Sequence, residues 1–258
     1  MNLPTIGDVP LFLLVLARVA GTLAVAPIFG SAALPATVKA ALALALSVAF
    51  FPIAPRTAHA PTGLDLIPAI SLETAVGLAM GFAAWLLFAT VQAGGALLDQ
   101  ELGLSMSTVF DPSSGEPVGL IAQFKLLLAG AAYVLCDGHH LLLSALGDSW
   151  RALPPGGAGV PTPSGNFVVA VGGLVFAGAV KVAAPALVAV FAVTVAMAFI
   201  ARAMPEAGSM LSGMPLRLVA GVLVLALGTG AFVSGFAASV RDGDDVVRSV
   251  VTWMGGRP

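Results

Sequence analysis

Four charged side chains stand inside long apolar runs, where a charge needs a reason to be. Arg18 lies near the middle of the first run, and Glu73, Asp137 and Lys181 raise the same problem in later ones. On insertion scales a central arginine costs roughly 2.5–3.5 kcal/mol, so such groups are expected to face protein or water rather than lipid. A set of buried charges can relay protons or ions; more often it forms interhelical pairs and interface anchors. Cys136-Asp137-Gly138-His139-His140 brings together residue types that bind metals. Only Asp137 and His140 share a helix face at i,i+3, however, and the remaining histidine, His59, lies in a distant loop. A hydrogen bond at a helix end is the simpler expectation, and neither a metal nor a cofactor is expected.

Nucleophilic catalysis lacks its constellation. Ser212-Gly213 follows Ser209-Met210-Leu211, which has no glycine two positions before the serine. Gly103-Leu104-Ser105-Met106-Ser107 lacks the closing glycine of a nucleophile elbow. No phosphate-binding loop or dinucleotide fingerprint occurs. The chain is not expected to be an enzyme.

The most polar internal stretch, Asp99–Gly119, carries Met106, Val109 and Phe110 beside Asp111-Pro112-Ser113-Ser114-Gly115. Irregular backbone cannot face hydrocarbon, because its amides and carbonyls would go unsatisfied. The stretch therefore lies at the surface, packs inside protein or lines an aqueous path. Flexible methionine and bulky phenylalanine near a Pro/Gly turn suit a deformable constriction; an exposed turn is the plain alternative.

The elements that must position these residues are long and apolar. Apolar residues make up 59% of 258 positions and charged residues 9%, with a mean hydropathy of +1.02. A soluble domain carries roughly 25% charged residues, so lipid or apolar protein must replace water over much of this surface. A net charge of −2 without a basic run removes the electrostatic footprint of nucleic-acid binding. The single cysteine excludes an intrachain disulfide. No Lys or Arg precedes the first apolar run, so that run is expected to stay in the mature protein.

Six segments are expected, at about Pro10–Phe29, Val38–Ile53, Ile67–Leu98, Leu120–Leu146, Phe167–Ala201 and Leu216–Val240. The fold class is therefore all-α, a polytopic membrane protein forming one domain over residues 1–258. A span needs roughly 20 apolar residues; the second segment is short, and the third and fifth, at about 45–50 Å, are too long for upright spans. Pro185 gives the fifth a reason to bend. Ala54–Leu66 and Pro154–Gly165 read as loops, and the charged tail after Val240 as a short amphipathic helix. Lys39, Lys125, Arg202 and Arg217 fall at loop edges on one side if the segments alternate, too weak a bias to orient the chain. Gly77 and Gly81, Gly94-Gly95, and Gly172, Gly173 and Gly178 permit close helix approach, whether to partner subunits or within the chain.

Several short sequences stand in order along the chain: Ala17-Arg18, Ala26-Pro27-Ile28-Phe29-Gly30, Pro35, Lys39, Glu73, Gly77, Gly81, the run Ala93–Ser105 with Asp99, Asp111-Pro112, Asp137-Gly138-His139-His140, and Ser149 leading to Leu153-Pro154. Taken together they resemble the FliR family of flagellar export-gate proteins and its SctT-type injectisome relatives. Arg202-Ala203-Met204-Pro205 and Gly213-Met214-Pro215-Leu216-Arg217 look like the family's Arg-x-x-Pro-Gln element and its Gly-x-Pro-Leu-Lys sequel. Glu206 replaces the usual Gln and Gly208 a common Asn.

The resemblance implies a non-enzymatic subunit of the type III secretion export gate. It implies assembly with FliP-like and FliQ-like subunits, docking of FlhB-like and FlhA-like components, and passage of unfolded protein substrates. It places the chain in the bacterial inner membrane, in contact with lipid, at the flagellar basal body. It also implies a FliP-like portion over 1–166, a FliQ-like hairpin over 167–240 and a polar tail over 241–258. Carried over from the family, Met106, Ser107, Thr108, Val109, Phe110, Asp111 and Pro112 form a pore-closing loop. Arg18, Glu73, Asp137, Lys181, Arg202 and Glu206 are the expected buried-charge or interface residues. The alternative reading is a polytopic small-molecule or proton-coupled transporter, supported by the buried charges alone.

Overall fold

The computed structural model describes residues 8–31, 33–55, 61, 63–104, 119–157, 165–203 and 214–254. Among the described residues all regular structure is helical. In chain order the helices are α1 (Val9–Val25), α2 (Ala36–Phe50), α3 (Leu66–Glu101), α4 (Leu120–Leu135), α5 (Gly138–Ala152), α6 (Gly165–Ala203) and α7 (Met214–Met254), with a 3₁₀ turn at Gly63–Asp65 before α3. Each expected segment is helical, but the fourth is not one rod. It breaks at Cys136-Asp137, where α4 and α5 meet at 63°.

Local signals explain the boundaries. Pro10 stands in the first turn of α1, where its missing N–H belongs to a group that lacks a helical partner anyway. Pro35 immediately precedes α2. Between them the chain turns through Ile28 at φ 68°, and Lys39 Nζ donates to the Gly30 carbonyl at 3.0 Å, tying the turn to α2. Asp137, at φ 55°, occupies the left-handed region that Asp tolerates better than most residues. Its carbonyl accepts from the His140 and Leu141 amides at 2.9 and 3.1 Å. This left-handed residue makes the break that apolar periodicity hides. Conversely, Pro185 lies inside α6, which continues past it. The charged tail prolongs α7 to Met254 rather than forming a separate element.

Three helical stretches are long and apolar enough to cross a membrane, Gly63–Glu101, Val175–Ile200 and Leu218–Arg241; α4 with α5 makes a fourth if the bent pair counts as one span. At 17 and 15 residues α1 and α2 fall short.

Two compact units divide the chain, and they do not follow sequence order. One comprises residues 1–87, 133–164 and 239–258, the other 88–132 and 165–238. The first has its apolar interior at Leu14, Val15, Val19, Val76, Met80, Leu146 and Trp150, all fully buried. Phe12 meets Phe51 edge-on at 6.0 Å, and Phe50 meets Trp150 at 5.2 Å. The second centres on Leu98, Leu102, Ile121, Ala183, Ala186 and Val190.

Glycines set the helix spacing within each unit. A Cβ on Gly21 would stand 2.6 Å from the Thr74 carbonyl oxygen; one on Gly77 or Gly81 would strike the backbone carbonyl of Arg18 or Thr22. α1 and α3 therefore meet backbone to backbone. In the other unit, Gly94 faces Ala179 and Val182, Gly95 faces Ala122, and Gly178 faces Thr90. At these five expected positions, 77, 81, 94, 95 and 178, the close approach is within the chain.

Candidate functional site

The first unit holds a charged centre in an apolar interior. Arg18 and Glu73 are both fully buried, and Arg18 Nε donates to Glu73 Oε2 at 2.6 Å. The two remaining guanidinium nitrogens are also used: one donates to Ser149 Oγ and the other to the Leu153 carbonyl, each at 3.0 Å. The second carboxylate oxygen, Oε1, accepts from the Gly156 amide at 2.9 Å. Trp150 lies with its ring centroid 5.6 Å from the guanidinium carbon, within cation–π range.

Each element supplies what its position permits. Arg18 comes from the middle of α1, Glu73 from the second turn of α3, and Ser149 and Trp150 from the last turn of α5. Leu153 and Gly156 follow in the turn after α5, where Gly156 at φ 80° takes a conformation that suits glycine. Ser149 relays the contact onward by donating to the Leu146 carbonyl at 2.7 Å. A planar five-donor guanidinium suits this convergence; lysine, a single point charge, does not. With neighbours on all sides, the centre is built to hold α1, α3 and the end of α5 together. The contacts named here engage all three guanidinium nitrogens and both carboxylate oxygens.

The other expected charges behave differently. Asp137 and His140 are exposed and lie 3.2 Å apart, Oδ1 to Nδ1, which realises the anticipated helix-end contact. Lys181 and Arg202 are exposed on α6. For Asp137, Lys181 and Arg202, burial within this chain is therefore not what the structure shows, because each points off its helix rather than between helices. Glu206 and the expected loop Met106, Ser107, Thr108, Val109, Phe110, Asp111 and Pro112 lie outside the described residues.

Two buried charges escaped the sequence reading. Asp99 is 2% exposed and sits in the last turn of α3, not in the connecting stretch. Its Oδ1 accepts from the Ile121 amide at 2.9 Å and its Oδ2 from the Ala122 amide at 3.0 Å. One carboxylate thus caps the first turn of α4, where two amides lack helical partners and the helix dipole favours an anion. The missing Cβ of Gly119 admits it: a Cβ there would stand 2.8 Å from that of Asp99. Lys125, taken as a loop-edge cation, is 6% exposed within α4. Its Nζ lies 4.5 Å from the Phe232 ring centroid and donates to the Val182 carbonyl at 3.4 Å. The signal for Asp99 was an acid one turn before a polar stretch, twenty residues ahead of the next apolar run. For Lys125 the apolar residues on both sides were the clue.

Known proteins align with most of this chain. The model of the family described as bacterial export proteins, family 1, matches residues 9–243. The flagellar biosynthetic protein FliR of Bacillus subtilis is 29% identical over 226 residues, 84% of this chain and 85% of that protein. FliR of Pectobacterium carotovorum is 25% identical over 210 residues, 81% of this chain and 80% of that protein. The surface presentation of antigens protein SpaR of Salmonella typhimurium matches over a shorter stretch, 25% identical over 139 residues, 54% of this chain and 53% of that protein. The family match takes in α1 to α6 and most of α7, with the whole Arg18–Glu73 centre inside it. The chain therefore belongs to the bacterial export proteins, family 1, and is a FliR-family component of a flagellar or type III protein-export apparatus.

Proposed function

We propose that this chain is a non-enzymatic subunit of the export gate, forming part of the channel through which unfolded substrates cross the bacterial inner membrane. The observation that carries the reading is how little of the longest apolar helices the chain itself covers. The most apolar windows of Val175–Ile200 and Leu218–Arg241 are 17% and 6% buried, against 39% for Gly63–Glu101. Phe176, Val188, Phe191, Phe199, Val219 and Leu227 are each more than 60% exposed. Membership of an export family makes sister subunits the natural cover, in addition to lipid. FliP-like and FliQ-like chains are the expected neighbours, with FlhB-like and FlhA-like components docking on the assembly at the flagellar basal body.

Within this reading Met106–Pro112 closes the channel and yields to a passing polypeptide. Its support is the staple at its base. Asp99 joins the end of α3 to the start of α4, so the stretch between returns to a fixed point.

Co-expression with FliP-like and FliQ-like partners, purification in mild detergent and mass measurement test the assignment. A stoichiometric heteromer is expected; a chain that purifies alone and transports a solute overturns it. The transporter reading rested on buried charges, and Arg18 and Glu73 have all their strong partners within the fold.

A further inference from the structure

We propose that Asp137, His139 and His140 form a binding site for one borderline divalent transition-metal ion of the Zn²⁺, Ni²⁺ or Cu²⁺ class. One ligand atom from each residue falls within 4.8 Å of the others. The left-handed Asp137 turns its carboxylate back over the first turn of α5, and Oδ1 comes within 3.2 Å of His140 Nδ1. Two ligands at about 2.1 Å from a tetrahedral ion stand roughly 3.4 Å apart, so this pair already spans one edge of a coordination tetrahedron. The His139 and His140 rings lie side by side, centroids 4.2 Å apart.

A second observation points the same way. His139 Nδ1 is buried and has no hydrogen-bond partner among the described residues. An unpaired ring nitrogen out of water carries a desolvation cost that a bound ligand on the imidazole can offset. Gly138 lets the backbone pack closely at this point: a Cβ there would lie 2.5 Å from the Tyr133 ring and 2.9 Å from Val240 Cγ1.

The donor set selects the ion. Two imidazoles and one carboxylate suit Zn²⁺, Ni²⁺ and Cu²⁺, whereas Ca²⁺ and Mg²⁺ demand oxygen ligands. Asp137 and His140 have side chains 71% and 68% exposed, so an ion reaches them from solvent and keeps water in its fourth position. The ion would pin the left-handed Asp137 to the first turn of α5. The site is independent of the export-gate reading.

Equilibrium dialysis of the full chain in detergent against Zn²⁺, with visible absorption of a Co²⁺ substitute, tests this. One ion per chain is expected, together with a tetrahedral Co²⁺ spectrum. His140→Gln and Asp137→Asn, which keep size and hydrogen bonding, should each weaken binding by roughly tenfold or more, the range that even outer-shell partners command. His139→Gln should remove the tetrahedral spectrum. His59→Ala and Cys136→Ser should change neither readout, and a loss in either overturns the donor set. Unchanged stoichiometry in the His139→Gln/His140→Gln chain, or no retained ion in the wild-type chain, overturns the site.

Discussion

In the unit built on α1, α2, α5 and the first half of α3, a charged pair and its hydrogen-bond partners close the interior. In the unit built on α6, most of α7 and the second half of α3, small residues and aliphatic side chains do so, and much of the helical surface stays bare. The first unit directs its charges inward, Arg18 to Glu73 at full burial. The second buries Lys125 against a carbonyl and a ring, and leaves Lys181 and Arg202 exposed. A buried ion pair is weak evidence for stability, because desolvation offsets much of its attraction. The difference teaches that one unit organises its interior around charge and the other around small and aliphatic side chains.

The sharpest way to break this comparison is to remove one member of the pair. Arg18→Ala or Glu73→Ala leaves an uncompensated buried charge and should cost about 3–5 kcal/mol, seen as a large loss of folded chain in detergent unfolding. Arg18→Met with Glu73→Leu should recover much of that loss, since apolar residues of similar volume can replace a buried pair. A double variant no better than the singles would mean that the other hydrogen bonds carry the centre.

Next comes a contrast of glycines. Gly77→Ala drives a methyl into the Arg18 carbonyl and should cost about 1–3 kcal/mol, the overpacking range. Gly230→Ala, on an α7 face with nothing within 4 Å, should instead raise the unfolding midpoint of the isolated chain, by about 0.5–1 kcal/mol of helix propensity. If that face meets a sister subunit, the same change should lower the yield of co-purified complex. Equal losses for both variants in the isolated chain would erase the distinction.

Asp99→Ala frees the Ile121 and Ala122 amides and should cost about 0.5–2 kcal/mol, as for other helix caps. In the proposed channel it should also raise small-solute leakage, as should Val109→Gly with Phe110→Gly; unchanged permeability in both would argue for a mere surface turn. The smallest effect belongs to Lys125→Met. The side chain has no carboxylate partner among the described contacts, and a volume-conserving apolar replacement should shift stability by less than about 1.5 kcal/mol.

How legible this was depended on the physical range of each signal. Apolar runs are local, so α1, α2, α3 and α6 could be read from them within a few residues, and α7 at its start, while its charged end ran on to Met254. The Asp137 break left no mark on the apolar run, because a single left-handed residue interrupts a helix without interrupting its hydrophobicity; its one sign was the expected helix-end contact of Asp137 with His140. Arg18 and Glu73 could be singled out by type and setting, yet their partnership spans 55 residues and depends on how the helices cross. Ser149, the Leu153 carbonyl and the Gly156 amide are ordinary groups made important by place alone. The Asp99 cap was missed for the same reason: acceptor and donors lie more than twenty positions apart.

The near-unbroken apolar length of α6 has a geometric consequence. From Phe167 to Ile200 it carries one charge, Lys181, over about 51 Å of helix. Fitting that length inside a hydrocarbon slab about 30 Å deep demands a lean of roughly 54°, beyond the 0–40° that single helices adopt. A rod that cannot lie down far enough must project, and its projecting flank meets headgroups and water that offer no apolar shelter. The cover that flank requires is polypeptide, from this chain or another, and the length that projects follows from trigonometry alone.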